Sequence, residues 1–156
     1  MRVDPELGRR GERLAWTQDQ TYVEVYFRLP RNVPASGVQV EIQRERLSVS
    51  VTGTAVLAGR LCRPVKVEES LWLIQDGVLE VTLLKESRRG NYADGDTAFH
   101  TFWRTVVVGA PADERIPGDA VPPRYYKSAS DVSDMPAHQR VASSSRPMID
   151  RSRERR

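Results

Sequence analysis

The sequence predicts an all-β protein, a seven-stranded antiparallel β-sandwich followed by an extended C-terminal tail. Short blocks in which apolar and polar residues alternate recur from Tyr22 to Val108, and this period of two is typical of half-buried strands. Turn residues separate the blocks, and no interval between them could hold the helix that a parallel crossover needs. The chain of 156 residues suits one such domain with appendages.

The first predicted strand begins at Tyr22 and stops at Pro30, because proline has no amide hydrogen to offer a neighbouring strand. Its valines, Phe27 and Leu29 share one face, which we expect to lie in the core. Tyr22, Tyr26 and Arg28 share the opposite, outward face with Glu24.

Six further strands are predicted at residues 38–42, 47–52, 56–61, 70–74, 78–84 and 103–108. Asp76-Gly77 predicts a tight hairpin turn between the fifth and sixth strands, since such turns require positive φ. Trp72 and Trp103 lie inside alternating runs. We expect both at the centre of the core, with their indole N–H groups bonded to backbone.

Three regions are predicted along the chain: an N-terminal extension at 1–13, the sandwich at 14–110 and a Pro/Ser/Arg-rich tail at 111–156. Residues 86–101 show no sustained periodicity and are expected to form a long loop. The tail holds six of the ten prolines and few large apolar residues, so it should stay extended, with Tyr125-Tyr126 as a potential anchor. On this division, truncation after Gly109 should leave the melting temperature nearly unchanged.

The charge distribution argues against a nucleic-acid-binding surface. Lys and Arg number 24 and Asp and Glu number 21, and the whole excess of three lies in residues 146–156. The single cysteine is typical of a reducing compartment, and no window resembles a membrane span or signal peptide. We therefore expect a cytoplasmic protein that does not bind membranes.

Several blocks resemble the CS domain, and most closely its NudC (nuclear distribution C) branch. The resemblance covers about residues 14–110. It rests on Trp16-Thr17-Gln18, Leu29-Pro30, Gly59-Arg60-Leu61, Pro64-Val65-Lys66, the block from Glu68 to Gly77, Leu79 to Lys85, and Phe102-Trp103. The chain departs from the family in its long loop before Phe102, in its basic rather than acidic tail, and in having no N-terminal coiled-coil segment.

The resemblance implies a non-enzymatic co-chaperone or adaptor that binds proteins through a β-sandwich and a tail. Its implied partners are a heat-shock chaperone or client proteins such as β-propellers. An alternative is a structural component of a microtubule- or dynein-associated assembly, anchored by the tail and located at the cytoskeleton.

Two groups of side chains are candidates for binding a partner. The first is the outward set Tyr22, Tyr26 and Arg28, since Tyr and Arg are enriched at interface hot spots; a scattered exposed face is the alternative. The second is a potential basic patch for an acidic partner, with an ordinary mixed-charge surface as the alternative. This patch would comprise Arg44, Arg46, Arg60, Arg63 and Lys66. Tyr125 and Tyr126 are added as tail contacts.

The sequence predicts no catalytic, metal or cofactor site. Cys62 has no histidine or acid at a motif spacing and is expected to be a small buried apolar residue. His100 and His138 fall in the predicted loop and tail, and no glycine-rich phosphate loop occurs. An enzyme that uses Cys62 is the third interpretation.

Overall fold

A computed structural model describes residues 3–86, 101–118 and 120–125. Two antiparallel sheets form a sandwich, which confirms the predicted fold class. One sheet has five strands in the order β1-β2-β3-β8-β7, and the other has three in the order β4-β5-β6. The strands are β1 (Gly8–Arg10), β2 (Ala15–Gln18), β3 (Tyr22–Arg28), β4 (Val38–Gln43), β5 (Arg46–Val51), β6 (Thr54–Arg60), β7 (Val65–Gln75) and β8 (Val78–Lys85).

The described residues contain eight strands rather than the predicted seven. The predicted strand at 103–108 is wrong, because neighbouring residues there are buried in pairs, Phe102 with Trp103 and Val106 with Val107. This irregular segment fills the space beside the sheets and forms only an isolated bridge, from Val107 to Leu61. The sequence analysis missed β1 and β2, which are too short to show a clear alternation.

Two tight turns set the register of the hairpins. Asp76 and Gly77 have φ values of 54° and 75°, as the sequence predicts for the turn between β7 and β8. Thr52 and Gly53, at 48° and 83°, form the same kind of two-residue turn between β5 and β6. Each turn fixes which side chains face the core, since a slip of one residue would invert every strand face.

The core lies between the two sheets and is continuous with the C-terminal segment. Trp16 and Trp103 are completely buried in it. Trp72 faces the same core but is only partly buried, since it lies on β7 at the edge of its sheet. The expectation that Trp72 is the centre of the core is therefore wrong, and the central tryptophan of the five-stranded sheet is Trp16.

The chain contributes to the core well beyond residue 110. Ala110 and Ile116 are buried. Tyr125 is fully buried, and the centroid of its ring lies 5.0 Å from the ring centroid of Phe102 in an edge-to-face arrangement. The predicted tail thus includes core residues as far as Tyr125. Residues 87–100 of the predicted loop at 86–101 lie outside the described residues, as do Tyr126 and the rest of the tail.

A wide bulge interrupts the pairing of β7 with β8. Lys66 pairs with Leu84 and Leu71 with Thr82, so the four residues at 67–70 lie opposite one residue of β8. The Ser70 hydroxyl closes the bulge: it accepts a hydrogen bond from the Leu84 amide at 3.0 Å and donates one to the Lys66 carbonyl at 2.8 Å. Among the described residues, no helix is long and apolar enough to span a membrane.

Candidate protein-binding face

The side of the five-stranded sheet that points away from the core gathers the aromatic residues of the first candidate set. The register places Tyr22 beside Leu84, Tyr26 beside Glu80 and Arg28 beside Val78. On β7, Leu71 lies beside Thr82 and Leu73 lies beside Glu80, on the same side of the sheet. We call this side the outer face and define it by residues Tyr22, Glu24, Tyr26, Arg28, Leu71, Leu73, Val78, Glu80, Thr82 and Leu84.

The outer face is largely apolar, and part of it is buried. Tyr22, Leu71 and Leu73 are each 5% exposed, although Leu71 and Leu73 are not part of the core between the sheets. Tyr26 is half-buried and Arg28 is exposed. Tyr22 is thus buried and Tyr26 half-buried, and two leucines that were not predicted as site residues lie across β8 from them.

The sequence carried a signal for these leucines. Residues 71–74 read Leu-Trp-Leu-Ile, so both faces of this strand are apolar, whereas a strand with one solvated face alternates. Trp72 and Ile74 pack against the core, and Leu71 and Leu73 point to the outer face. A run that is apolar on both faces indicates cover on both faces.

Two carboxylates lie near the middle of the outer face. Glu24 and Glu80 belong to adjacent rows of neighbouring strands, and Glu24 accepts a hydrogen bond from the Tyr26 hydroxyl at 3.1 Å. Desolvation raises the pKa of Glu80, and repulsion from Glu24 raises it further. A cationic group placed between them would relieve that repulsion.

A groove of about 420 Å³ opens at the Arg28 end of the outer face. Its floor comes from β3 and β8, and one wall comes from the segment between β1 and β2. Residues Arg10, Gly11, Glu12, Arg13, Leu14, Ala15, Tyr26, Arg28, Gln75, Asp76, Val78 and Glu80 line it. The lining combines apolar surface with both signs of charge.

The C-terminal segment holds this wall in place. Glu114 is 1% exposed and its carboxylate accepts a hydrogen bond from Arg13 Nε at 2.6 Å, while the Asp113 carboxylate accepts one from the Glu12 amide at 2.9 Å. Trp16 Nε1 donates to the Glu114 carbonyl at 2.9 Å. A β-carbon on Gly11 would lie 3.0 Å from Glu114 Cγ, so the close approach favours glycine there.

The hydrogen bonds of the tryptophan indole N–H groups differ from those that the sequence predicts. Trp16 rather than Trp72 or Trp103 has the indole-to-backbone hydrogen bond that the structure documents. Trp103 is fully buried, and its Nε1 has no hydrogen-bond partner among the described residues. The Trp103 backbone is nevertheless tied to the sheet, since its amide donates to Gln18 Oε1 and its carbonyl accepts from Gln18 Nε2.

Acidic side chains lie beside two members of the proposed basic patch. Arg44 forms ion pairs with Glu86 at 2.7 Å and Glu45 at 3.1 Å, and Arg60 lies 3.7 Å from Glu45. The Glu86 interaction raises the pKa of Arg44. These contacts give the end of the β4–β5 hairpin mixed charge.

The remaining members of that set have different neighbours, although the Val65 amide, next to Lys66, donates to the Arg44 carbonyl at 2.8 Å. Arg46 pairs in register with Arg60, and both are exposed. Arg63 Nε donates to the Phe102 carbonyl at 3.1 Å, and Lys66 lies on the other sheet beside Leu84. A shared role of all five in binding an acidic partner stays a prediction.

A buried lysine fixes Tyr125. Lys85 is 4% exposed, and its Nζ donates to Gln18 Oε1 at 2.8 Å and to the Tyr125 hydroxyl at 2.7 Å. The Tyr125 hydroxyl also lies 2.7 Å from the Thr101 hydroxyl. Burial lowers the pKa of Lys85 well below its ordinary value. Tyr125 is thus a structural anchor in this network.

These features define a class of protein: a β-sandwich module whose large outer face and adjoining groove suit contact with another polypeptide. Residues 12–85 match the family model described as the CS domain. The chain therefore contains a CS domain.

Comparison with known proteins agrees with the NudC branch of the resemblance. The chain is 30% identical over 84 residues to the nuclear migration protein nudC of Drosophila melanogaster, a match that covers 52% of this chain and 25% of the relative. The chain thus spans about a quarter of the length of that curated relative.

Two solved structures are also similar. The solution structure of the CS domain of the human KIAA1068 protein shares 25% identity at a TM-score of 0.55, covering 76% of this chain and 88% of the other. The nuclear movement protein from E. cuniculi GB-M1 shares 21% identity at a TM-score of 0.43, covering 48% and 88%.

Proposed function

We propose that this chain is a non-enzymatic co-chaperone or adaptor that binds client proteins or a chaperone through the outer face of its CS domain. The observation that carries the proposal is the outer face itself, where Tyr22 and Tyr26 of β3 and two leucines of β7 lie on either side of β8. Tyr26 is half-buried and Arg28 is exposed, so part of this face is accessible, and Tyr and Arg are enriched at interface hot spots.

The groove supports the same assignment. It adjoins the outer face through Tyr26 and Glu80 and adds charged groups at the rim, which is the usual arrangement of apolar centre and polar border in an interface. The basic residues at the β4–β5 hairpin are a weaker candidate surface, since Arg44 and Arg60 already face acidic side chains.

Partner binding would involve no making or breaking of covalent bonds. Cys62 is a half-buried free thiol whose amide donates to the Val106 carbonyl at 2.9 Å. Loss of a measured turnover in Cys62→Ser would overturn the non-enzymatic part of the proposal. The cytoplasmic location predicted from composition belongs to the same proposal.

The test is suppression of heat-induced aggregation of a client protein without ATP. The full chain should suppress aggregation at equimolar or greater amounts, and no suppression would overturn the chaperone role. Leu73→Asp should abolish the effect, because a charge replaces an apolar contact on the outer face. Ala58→Asp, at an exposed position of β6 on the other sheet, is the matched control.

Leu73→Asp could also unfold the domain, so melting temperatures are measured first. Tyr26→Lys is a second variant at a half-buried position of the same face. If both variants stay folded and suppress aggregation as well as the control, the outer face is not the client site.

A structural role in a cytoskeletal assembly is a second candidate, which the name of the nuclear migration relative favours. Salt-resistant association with microtubules or dynein-associated complexes would support that role. Weak, exchangeable binding to several unfolded clients would support the co-chaperone role instead.

A further inference from the structure

Strand β4 is the least protected edge of the two sheets. Among the described residues the sheets have four edge strands, and proteins usually protect such edges by shortness, bulges, charges or cover. Strand β1 has only three residues, a bulge interrupts β7, and on β6 the Arg60 carbonyl accepts a hydrogen bond from the Val108 amide at 2.8 Å. Strand β4 has six residues in a regular register and contains no proline, lysine or arginine. Just beyond it, the Arg44 carbonyl accepts a hydrogen bond from the Val65 amide, so the open part of this edge ends before Arg44.

The hydrogen bonds to β5 determine which backbone groups of β4 point outward. The Thr52 amide donates to the Gly37 carbonyl at 2.7 Å. In this register the odd-numbered residues of 39–43 exchange hydrogen bonds with β5. The N–H and C=O groups of Val40 and Ile42 therefore point away from β5, and among the described residues no backbone partner bonds to them.

The side chains of β4 add a pattern to these unpaired backbone groups. Val40 and Ile42 are half-buried and pack against the core, so part of each side chain is uncovered. Glu41 lies between them, is exposed, and has Ser48 as its neighbour on β5. None of the ion pairs within the described part of the chain includes Glu41. A strand beside β4 would therefore fit best with apolar side chains next to Val40 and Ile42 and a cation opposite Glu41.

We propose that the β4 edge is a second polypeptide-binding site, which pairs with an extended segment of another protein in which a basic residue lies between two apolar residues. Main-chain hydrogen bonds to Val40 and Ile42 would supply the affinity, and the alternate side chains would supply the sequence preference. The site goes beyond the proposed function and does not depend on it, because the outer face belongs to the other sheet.

A second copy of this chain fits the β4 edge less well. In an antiparallel pairing of two β4 strands, an outward side chain of one copy lies opposite an outward side chain of the other. The residue opposite Glu41 would then be Gln39, Glu41 or Gln43 of the second copy. None of these is a cation, and two glutamates directly opposite each other repel. The charge pattern therefore favours a different protein as the occupant.

The binding experiment uses a capped peptide, acetyl-Gly-Thr-Val-Lys-Val-Thr-Gly-amide, and two N-methylated forms of it. The valine N–H groups of the bound peptide would face β4, whereas the lysine N–H group would point away. Methyl groups on both valine nitrogens should weaken binding to the full chain at least about tenfold, because hydrogen bonds to β4 are lost. A methyl group on the lysine nitrogen should leave the Kd unchanged, and it is the matched control.

Amide hydrogen exchange of the full chain locates the bound peptide. Without peptide, the Val40 and Ile42 amides should exchange rapidly, and the Glu41 amide, which bonds to β5, should exchange slowly. At about 90% occupancy the parent peptide should slow exchange at Val40 and Ile42 about tenfold, because only the unoccupied fraction exchanges.

A reversal of charge tests the sequence preference. Glu41→Lys should weaken binding of the parent peptide about fivefold, and it should bind a Val-Glu-Val form of the peptide more tightly than the wild type does. Glu69→Lys, at an exposed position of the β7 bulge on the other sheet, makes the same change in net charge and should leave binding of the parent peptide unchanged. Equal effects of the two variants would show that net charge alone matters, and would overturn the proposal.

Three further results would overturn the proposal. The two N-methylated peptides could bind equally well, or the parent peptide could leave exchange at Val40 and Ile42 unchanged. These amides could also be protected without peptide, and protection that disappears on dilution would identify a second copy as the occupant. The aggregation assay is independent: suppression of aggregation without peptide binding would remove this site alone, and peptide binding without suppression would remove the chaperone role alone.

Discussion

Replacement of Lys85 by methionine should remove a pH dependence from the stability of the domain. Lys85 is almost completely buried, and desolvation lowers its pKa well below the ordinary value of 10.5. In the unfolded chain the same group recovers its ordinary pKa. Between those two pKa values the unfolded state binds more protons than the folded state, so the free energy of unfolding rises with pH.

The expected slope follows from one proton. Each pH unit within that interval adds up to about 1.4 kcal/mol to the free energy of unfolding of the wild type. Lys85→Met lacks the titrating group and should show no such term. Methionine also leaves the neighbouring polar groups satisfied, because Gln18 still bonds the Trp103 backbone and Tyr125 still contacts Thr101.

The assay is denaturant unfolding followed by tryptophan fluorescence at several pH values between 7 and 9.5. The free energy of unfolding of the wild type should rise steadily relative to that of Lys85→Met as pH rises. Asp19, Arg63 and Cys62 act on Lys85 electrostatically, and thiols ionise in the same range, so the comparison is repeated in Cys62→Ser. Parallel stability curves in both backgrounds would refute the assignment of a depressed lysine pKa.

Three further changes probe the packing. Truncation after Gly109 should lower the free energy of unfolding by at least about 4 kcal/mol, because it removes buried Tyr125. A chain that ends three residues after Tyr125 is the control and should keep its stability. Equal melting temperatures of the two truncated chains would contradict the core assignment. Ser70→Ala should cost about 1–3 kcal/mol in denaturant unfolding, since two backbone groups of the β7 bulge lose their partner, and a neutral effect would show that water replaces the hydroxyl. Trp16→Phe should cost at least about 1–3 kcal/mol, because the Glu114 carbonyl loses its donor; a change below that range would mean the hydrogen bond contributes little.

The sheets were the predictable part of this structure. Strands β3, β4, β5 and β8 lie close to their predicted positions, because alternation over six to eight residues is a strong local signal. The Asp76-Gly77 turn was equally readable, since its residue types match the positive φ values that it adopts.

The C-terminal packing was not predictable from local pattern. Residues 110–125 hold only a few large apolar side chains among prolines, and their placement depends on contacts with Trp16, Gln20 and Lys85, far away in the sequence. Composition therefore suggested an extended tail, whereas tertiary contacts fold this part. Lys85 was overlooked for the same reason, although it occupies the inward phase of β8 after Leu83.

The outer face was half predictable. The outward phase of β3 identified Tyr22, Tyr26 and Arg28, but the analysis assigned only one face of residues 70–74 to packing. Local alternation cannot say what lies over a second apolar face, because that depends on the rest of the fold. The individual contacts of the basic set were not predictable either, since Arg44 pairs with Glu86 whereas Arg63 donates to the Phe102 carbonyl.

The contacts of Arg13 and Trp16 with Glu114 join positions about a hundred residues apart. Arg13 and Trp16 are synthesised about a hundred residues before Glu114, so strands near the amino end can pair before the contacts that hold the groove wall can form. A chain that ends before Glu114 would lack both contacts, and with them the support of one wall of the groove.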